Sequence, residues 1–224
     1  MENRQSLEKS EALTPLVVPI VEYDSSLQKE EVPYEVNVDG EKCAELFREI
    51  GISDDEISKL KIKVKRKSLL RRGPFASYRP INGDTIILYT DPIWRAHQKY
   101  LNPQKPSLKK EIVSVVKDIV GGYNGPVDLF LHESKHASDF RGKLRKSLGM
   151  AFYLTYYLGG TIGFGLAINK SLPMVPLNEL LLPLAYPVLY AANPIEIRAR
   201  RFADKNKDDP RWQNILIITP KPKQ

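Results

Sequence analysis

One five-residue segment constrains this chain more than any other: His132-Glu133-Ser134-Lys135-His136, a His-Glu-x-x-His motif. Residues four apart in an α-helix lie on one face, so two imidazoles at this spacing can bind one metal ion. Glu133 lies beside them and is placed to take a proton from a water molecule that the metal activates. The motif therefore predicts a helix that carries a Zn²⁺ site, with Glu133 as the general base.

The residues around the motif favour a helix. Pro126 suits a first helical position, and Asp128 suits a first turn, where a carboxylate interacts favourably with the helix dipole. The helix is expected to run through Phe140 into a basic segment, which suits a helix C-terminus. Four basic residues form that segment: Arg141, Lys143, Arg145 and Lys146.

A catalytic zinc site has three protein ligands and one open position, so the motif needs a third ligand. The sequence offers five candidates: Glu196, Glu179, Asp139, Asp204 and His97. We favour Glu196, because Ala199 and Ala203 follow on roughly the same helical face and would let this helix approach the motif helix closely. The competing explanation is a capping box, with Asn193 as N-cap, Pro194 as the first helical residue and Glu196 as the third.

Asp139 follows His136 by three residues and could point the same way along the helix. We predict that it orients a ligand imidazole rather than binding the metal itself. An ordinary surface carboxylate explains Asp139 equally well.

The His-Glu-x-x-His motif, followed far downstream by Glu196 with alanines three and seven residues later, resembles the gluzincin group of zinc metallopeptidases. The resemblance covers about residues 76–204. It implies a zincin-like fold in which both histidines and Glu196 bind Zn²⁺, with Glu133 as the base that hydrolyses a peptide or protein substrate. Ser134 and Lys135 depart from the small or apolar residues common at these positions.

The resemblance carries two further expectations. The strand predicted over 85–89 would lie at the upper edge of the cleft, where an extended substrate pairs with it. A tyrosine, histidine or comparable residue would stabilise the transition state, and the sequence does not single it out. The candidates are Tyr157, Tyr190 and Arg198, with Tyr153, Tyr156 and Arg200 as further possibilities.

Patterns elsewhere predict an α+β fold, with a small mixed sheet of about three to five strands packed on the active-site helix. Alternation from Lys59 to Lys67 predicts a half-buried strand with a basic outer face. Residues 76–81 and 85–89, joined through Asn82-Gly83-Asp84, predict a hairpin. A final strand is expected over 215–218.

The helices and regions follow from similar signals. Helices are expected over 41–50, 92–100 and 108–120, and Ser53 with Glu56 predicts a capping box. We predict a flexible arm over 1–30, with a short extended run at 16–21. A zincin-like domain over 31–205 follows, and then a C-terminal strand and tail over 206–224.

The region 147–192 is predicted to form an apolar helical hairpin. Its first part, 147–169, has no charged residue and is long enough to span a bilayer, with basic residues flanking the hairpin. Glycines and prolines weaken both arms, so a pair of helices buried in the domain explains the sequence nearly as well. The membrane therefore stays open as a partner, and the expected location is the cytoplasm or the cytoplasmic face of a membrane.

Composition leaves two alternatives to a peptidase. The net charge of +7 favours anionic partners without choosing among nucleic acid, lipid and acidic substrates. A basic binding module would use Lys61, Lys63, Lys65, Arg66, Lys67, Arg71 and Arg72. No aromatic interleaving accompanies these residues, so a solvated strand face is favoured and nucleic acid is not an expected partner. The other alternative is an inactive zincin-fold scaffold.

The single cysteine, Cys43, excludes an internal disulfide and a cysteine-rich metal site. It is expected to pack on an apolar helix face in a reducing compartment. The polar N-terminal residues do not match a secretory signal. The sequence gives no indication of oligomeric state.

Overall fold

A computed structural model describes residues 19–28, 32–66, 75–80, 83–101, 125–141, 143–171 and 188–222. These residues form a mixed α+β structure, as predicted. Its elements in chain order are β1 (Ile20–Tyr23), β2 (Tyr34–Val38), α1 (Gly40–Glu49), α2 (Asp54–Lys59), β3 (Lys61–Lys65), β4 (Ala76–Arg79), β5 (Thr85–Tyr89), α3 (Thr90–Leu101), α4 (Pro126–Asp139), α5 (Lys143–Ser171), α6 (Pro194–Asn206) and β6 (Leu216–Pro220).

The main sheet has four strands in the order β1-β3-β5-β4. The strands β1, β3 and β5 are parallel, and β4 pairs antiparallel with β5, which confirms the predicted mixed sheet and hairpin. In β3, Ile62 and Val64 are fully buried. The lysines that alternate with them, at 61, 63 and 65, lie on the other face, as the period-two alternation predicts.

The position of β5 differs from the sequence-based expectation. All five residues of Thr85–Tyr89 are buried, and the strand lies between β3 and β4. It therefore cannot be the open edge of a cleft. The edge of the sheet on this side is β4, because the hairpin folds back and places Ala76–Arg79 outside β5.

A second, two-stranded sheet joins distant parts of the chain. The strand β6 pairs antiparallel with β2, with Ile218 opposite Val36. The predicted C-terminal strand thus exists. Leu216 in this strand is almost fully buried in the main core, as are Trp212 and Ile215 just before it.

The motif helix α4 is central to the core, because it contacts β4, β5, β6 and α6. Phe130 and Leu131 are fully buried, and the Phe130 ring lies 6.2 Å from that of Phe47 on α1. Cys43, also on α1, is fully buried, as predicted. The capping box of Ser53 and Glu56 starts α2.

Helix α5 is packed very differently. It covers Lys143–Ser171, and several of its large apolar side chains are more than half exposed, namely Leu148, Leu154, Leu158 and Ile162. Within the described part of the chain, no helix combines the length and the apolar character that a bilayer crossing requires.

Some predictions fall on residues that the structure does not describe. They are the first three residues of the extended run predicted at 16–21, the helix predicted over 108–120, and most of the second arm of the apolar hairpin, at 172–187.

Candidate metal centre

The backbone before α4 fixes where the motif begins. Gly125 has φ 146°, a conformation that residues with side chains rarely adopt, and Pro126 occupies the first turn of the helix. From this start, His132 and His136 fall on one face, and their Nε2 atoms lie 3.0 Å apart. Their rings meet edge to face, with centroids 4.7 Å apart.

Helix α6 brings Glu196 to the same point. Its N-cap, Asn193, is fully buried and accepts a hydrogen bond from the Ile195 N–H at 2.9 Å. Ala199 and Ala203 are also buried, as predicted, so α6 lies close against α4. Glu196 Oε2 consequently lies 3.1 Å from His132 Nε2.

The alternative role of Glu196 as a capping-box residue is not what the structure shows. In that motif the carboxylate would accept a hydrogen bond from the N-cap N–H. The Asn193 N–H instead donates to the Tyr190 carbonyl at 3.3 Å. The Glu196 carboxylate is directed to the histidines, and Asn193 caps the helix alone.

The three ligand atoms have the spacing that a tetrahedral metal centre requires. Nitrogen and oxygen ligands about 2.0–2.1 Å from Zn²⁺ are about 3.3 Å apart at tetrahedral angles. Here the separations are 3.0 Å between the two Nε2 atoms, and 3.1 and 3.4 Å from Glu196 Oε2 to His132 and His136. Lone pairs this close repel unless a proton or a cation lies between them, so the group fits a divalent cation. Among the described residues, it is the one His, Cys, Asp and Glu cluster of this kind.

Electrostatics keep the Glu196 ligand anionic. Burial has the largest single effect and by itself raises the pKa of Glu196, but hydrogen bonds with His132 and His136 outweigh it, so the net pKa is well below its usual value. For His136, burial lowers the pKa, and the nearby Glu196 and Glu133 carboxylates reverse this and raise it overall. A negative ligand beside two imidazoles is suited to a cation.

Glu133 lies on the sheet side of the cluster. It is 7% exposed, and the backbone N–H of Tyr78 in β4 donates a hydrogen bond to its carboxylate. Burial raises the pKa of Glu133, with His136 and His132 acting in the opposite direction. A buried carboxylate whose pKa is moved towards neutrality suits the transfer of a proton in both directions. Glu133 is therefore a buried residue of the site and not a surface carboxylate.

Asp139 lies near His136, and its carboxylate pairs with basic side chains. Its carboxylate pairs with Lys135 at 2.8 Å, and Arg198 lies 3.7 Å away. The Nδ1 atom of His136 and the Oδ2 atom of Asp139 are both buried, and neither has a hydrogen-bond partner among the described residues. The orienting role of Asp139 stays a prediction.

The candidates for a transition-state residue differ in their contacts with the site. Tyr190 bonds Glu196 through its hydroxyl, and burial most of all raises the pKa of this tyrosine. Tyr157 stacks on Tyr153 at 5.7 Å between centroids. The side chain of Arg198 is 60% exposed and faces Asp139 rather than the three ligand atoms.

The remaining ligand candidates are elsewhere. His97 packs beside Trp94 on α3, at 6.3 Å between ring centroids. Asp204 is exposed and pairs with Lys207. Neither belongs to the candidate metal-binding group, and Glu179 lies outside the described residues.

The sequence did not predict the hydrogen bond between Tyr153 and Glu196. The Tyr153 hydroxyl donates to Glu196 Oε1 at 2.6 Å. The sequence presents Tyr153 as one of several tyrosines that could stabilise a transition state. Nothing in its spacing shows that it bonds a ligand carboxylate, because the register between α5 and α6 is a tertiary feature.

Comparisons of the chain with protein-family models, with curated proteins and with solved structures found no match. The function is therefore inferred from the site itself.

Proposed function

We propose that the protein is a zinc-dependent metallopeptidase with a zincin-like domain. The observation that carries the proposal is the convergence of His132, His136 and Glu196 at 3.0–3.4 Å, with Glu133 buried beside them. Two imidazoles and one carboxylate are a ligand set of catalytic zinc, which leaves a fourth position open.

When bound, Zn²⁺ supplies positive charge that acidifies a water molecule and polarises a carbonyl oxygen. The side chains of the protein hold and move the proton. Glu133 accepts it from the attacking water and returns it to the leaving amine, so that no charge is left on the nitrogen. The hydrogen bond from the Tyr78 N–H restrains the Glu133 carboxylate.

The position of β4 supports a peptide as substrate. Among the described strands, β4 pairs with β5 on one side only, and its outer edge lies next to Glu133. An extended peptide can add to such an edge through main-chain hydrogen bonds, which places its carbonyl groups near the site.

The basic binding module has weaker support. Glu22 of β1 lies 3.4 Å from Lys61 Nζ and 2.8 Å from Lys63 Nζ, and Arg66 lies 3.6 Å from Asp91. These acidic neighbours reduce the positive potential on this face of the sheet. Lys65 is exposed, and Lys67, Arg71 and Arg72 lie outside the described residues.

The test is Glu133→Gln, with Glu45→Gln on the exposed face of α1 as the matched control. We expect Glu133→Gln to retain about one zinc per chain and to lose hydrolysis of an unstructured protein substrate by roughly 100-fold or more, because the general base is gone. The control should keep both. Metal content and cleavage rate are measured on the same preparations.

Two results would redirect the proposal. Retained hydrolysis in Glu133→Gln would remove Glu133 as the base. Zinc in the wild-type protein without hydrolysis of any peptide in a diverse library would favour the inactive scaffold.

A further inference from the structure

The two oxygens of the Glu196 carboxylate have different partners. Oε2 faces the two histidine Nε2 atoms, whereas Oε1 accepts a hydrogen bond from the Tyr153 hydroxyl at 2.6 Å. This separation is typical of a strong hydrogen bond from a hydroxyl to a carboxylate. Glu196 is 5% exposed, so little water competes for Oε1.

Tyr153 is itself held in place by the end of the motif helix. Its ring lies 5.7 Å from that of Phe140, the C-cap residue of α4. The Phe140 ring also lies against Gly149, where the space a Cβ atom would need is already filled by that ring. At Gly149, helix α5 thus lies close to the end of α4, and Tyr153 follows one helical turn later.

Three helices therefore meet at the Glu196 carboxylate. Helix α4 supplies both histidines, α6 supplies Glu196, and α5 supplies the hydroxyl that holds the outer oxygen of Glu196. A carboxylate with one oxygen held in this way offers the other as a single, oriented ligand atom. Without the hydroxyl, the carboxylate could rotate, or use both oxygens and occupy the open position.

We propose that Tyr153 is a positioning residue that fixes Glu196 as a one-oxygen metal ligand; this inference rests on the proposed function. Tyr190 bonds the same carboxylate from the segment just before α6. Because the Tyr190 hydroxyl also holds this carboxylate, we expect loss of the Tyr153 hydroxyl to weaken the site without abolishing it. Partners of ligand side chains typically account for 10–100-fold in metal affinity.

The experiment compares Tyr153→Phe with Tyr156→Phe. Tyr156 lies on the same helix and stacks on Phe152, at 5.6 Å between centroids, so its variant controls for the loss of a tyrosine hydroxyl from α5. Zinc affinity is measured by competition with a chelator, and the visible spectrum is recorded with Co²⁺ in place of zinc. We expect Tyr153→Phe to bind zinc roughly 10-fold more weakly or worse, with an altered Co²⁺ spectrum. Tyr156→Phe should match the wild type in both.

A second measurement separates positioning from a general effect on folding. In a Glu196→Ala background, Tyr153→Phe should change the residual zinc affinity by less than about twofold, because the residue through which it acts is missing. An equal loss in both backgrounds, or wild-type affinity and spectrum in Tyr153→Phe, would overturn the inference. Absence of zinc binding in the wild type would instead overturn the proposed function.

Discussion

The helix pair α4 and α6 and the helix α5 surround the same site but are packed in opposite ways. Ala199 and Ala203 let α6 lie close to α4, and Phe130 anchors α4 in the core. Along α5, Leu158 and Ile162 are about 60% exposed, at 59% and 63%. All three metal-ligand candidates come from the tightly packed pair, and α5 adds the Tyr153 hydroxyl. The positions of the three candidate ligands therefore depend on the packed interface between α4 and α6, and α5 contributes a hydrogen bond to one of them.

The largest difference should appear when one large apolar side chain is removed from each region. We expect Phe130→Ala to lower the free energy of unfolding by about 3–5 kcal/mol, because a fully buried ring leaves a cavity. Leu158→Ala on α5 should change it by no more than about 0.5 kcal/mol, since the side chain is already 59% exposed. Urea denaturation measures both. Similar losses in the two variants would show that α5 is packed as tightly as the core.

A smaller effect is expected from enlarging the interface between α4 and α6. Ala199→Leu should lower the free energy of unfolding by about 1–3 kcal/mol, because the site of the fully buried alanine has no room for three more carbon atoms. It should also weaken zinc binding, since moving α6 outward withdraws Glu196 from the histidines. Lys205→Leu, at an exposed position of α6, is the control. If Ala199→Leu bound zinc like the wild type, close packing of the helices would not be what positions Glu196.

The smallest effect on stability is expected from the N-cap of α6. Asn193→Ala should lower the free energy of unfolding by about 0.5–2 kcal/mol, because the Ile195 N–H loses its buried acceptor. Asn193→Asp should restore most of this loss, since aspartate is an equally good N-cap. Thermal unfolding monitored by circular dichroism compares the two. An Asn193→Asp protein no more stable than Asn193→Ala would mean that the cap contributes little.

Local signals in the sequence were sufficient for much of this structure. The capping box of Ser53 and Glu56, the alternation of β3 and the proline start of α4 all depend on residues close in sequence, and each is present. The small residues at 199 and 203 indicated that α6 would approach the motif helix, and α6 does contact α4.

Features that depend on distant contacts were not predictable. The pairing of β2 with β6 joins Val36 to Ile218, and no local pattern specifies that partner. The same limitation explains the error at the sheet edge, because the strand order decides that β5 is internal and β4 is outside. It also explains why Tyr153 could not be distinguished from the neighbouring tyrosines.

The central claim is that one divalent cation is bound jointly by α4 and α6. The most direct measurement is zinc content by mass spectrometry of the wild type, His132→Ala and Glu196→Ala, each purified without added metal and checked for folding. We expect about one zinc per wild-type chain and, because each variant lacks one of three ligands, little or no retained zinc in either variant. A folded wild-type protein without zinc, or a Glu196→Ala variant with unchanged zinc content, would contradict it.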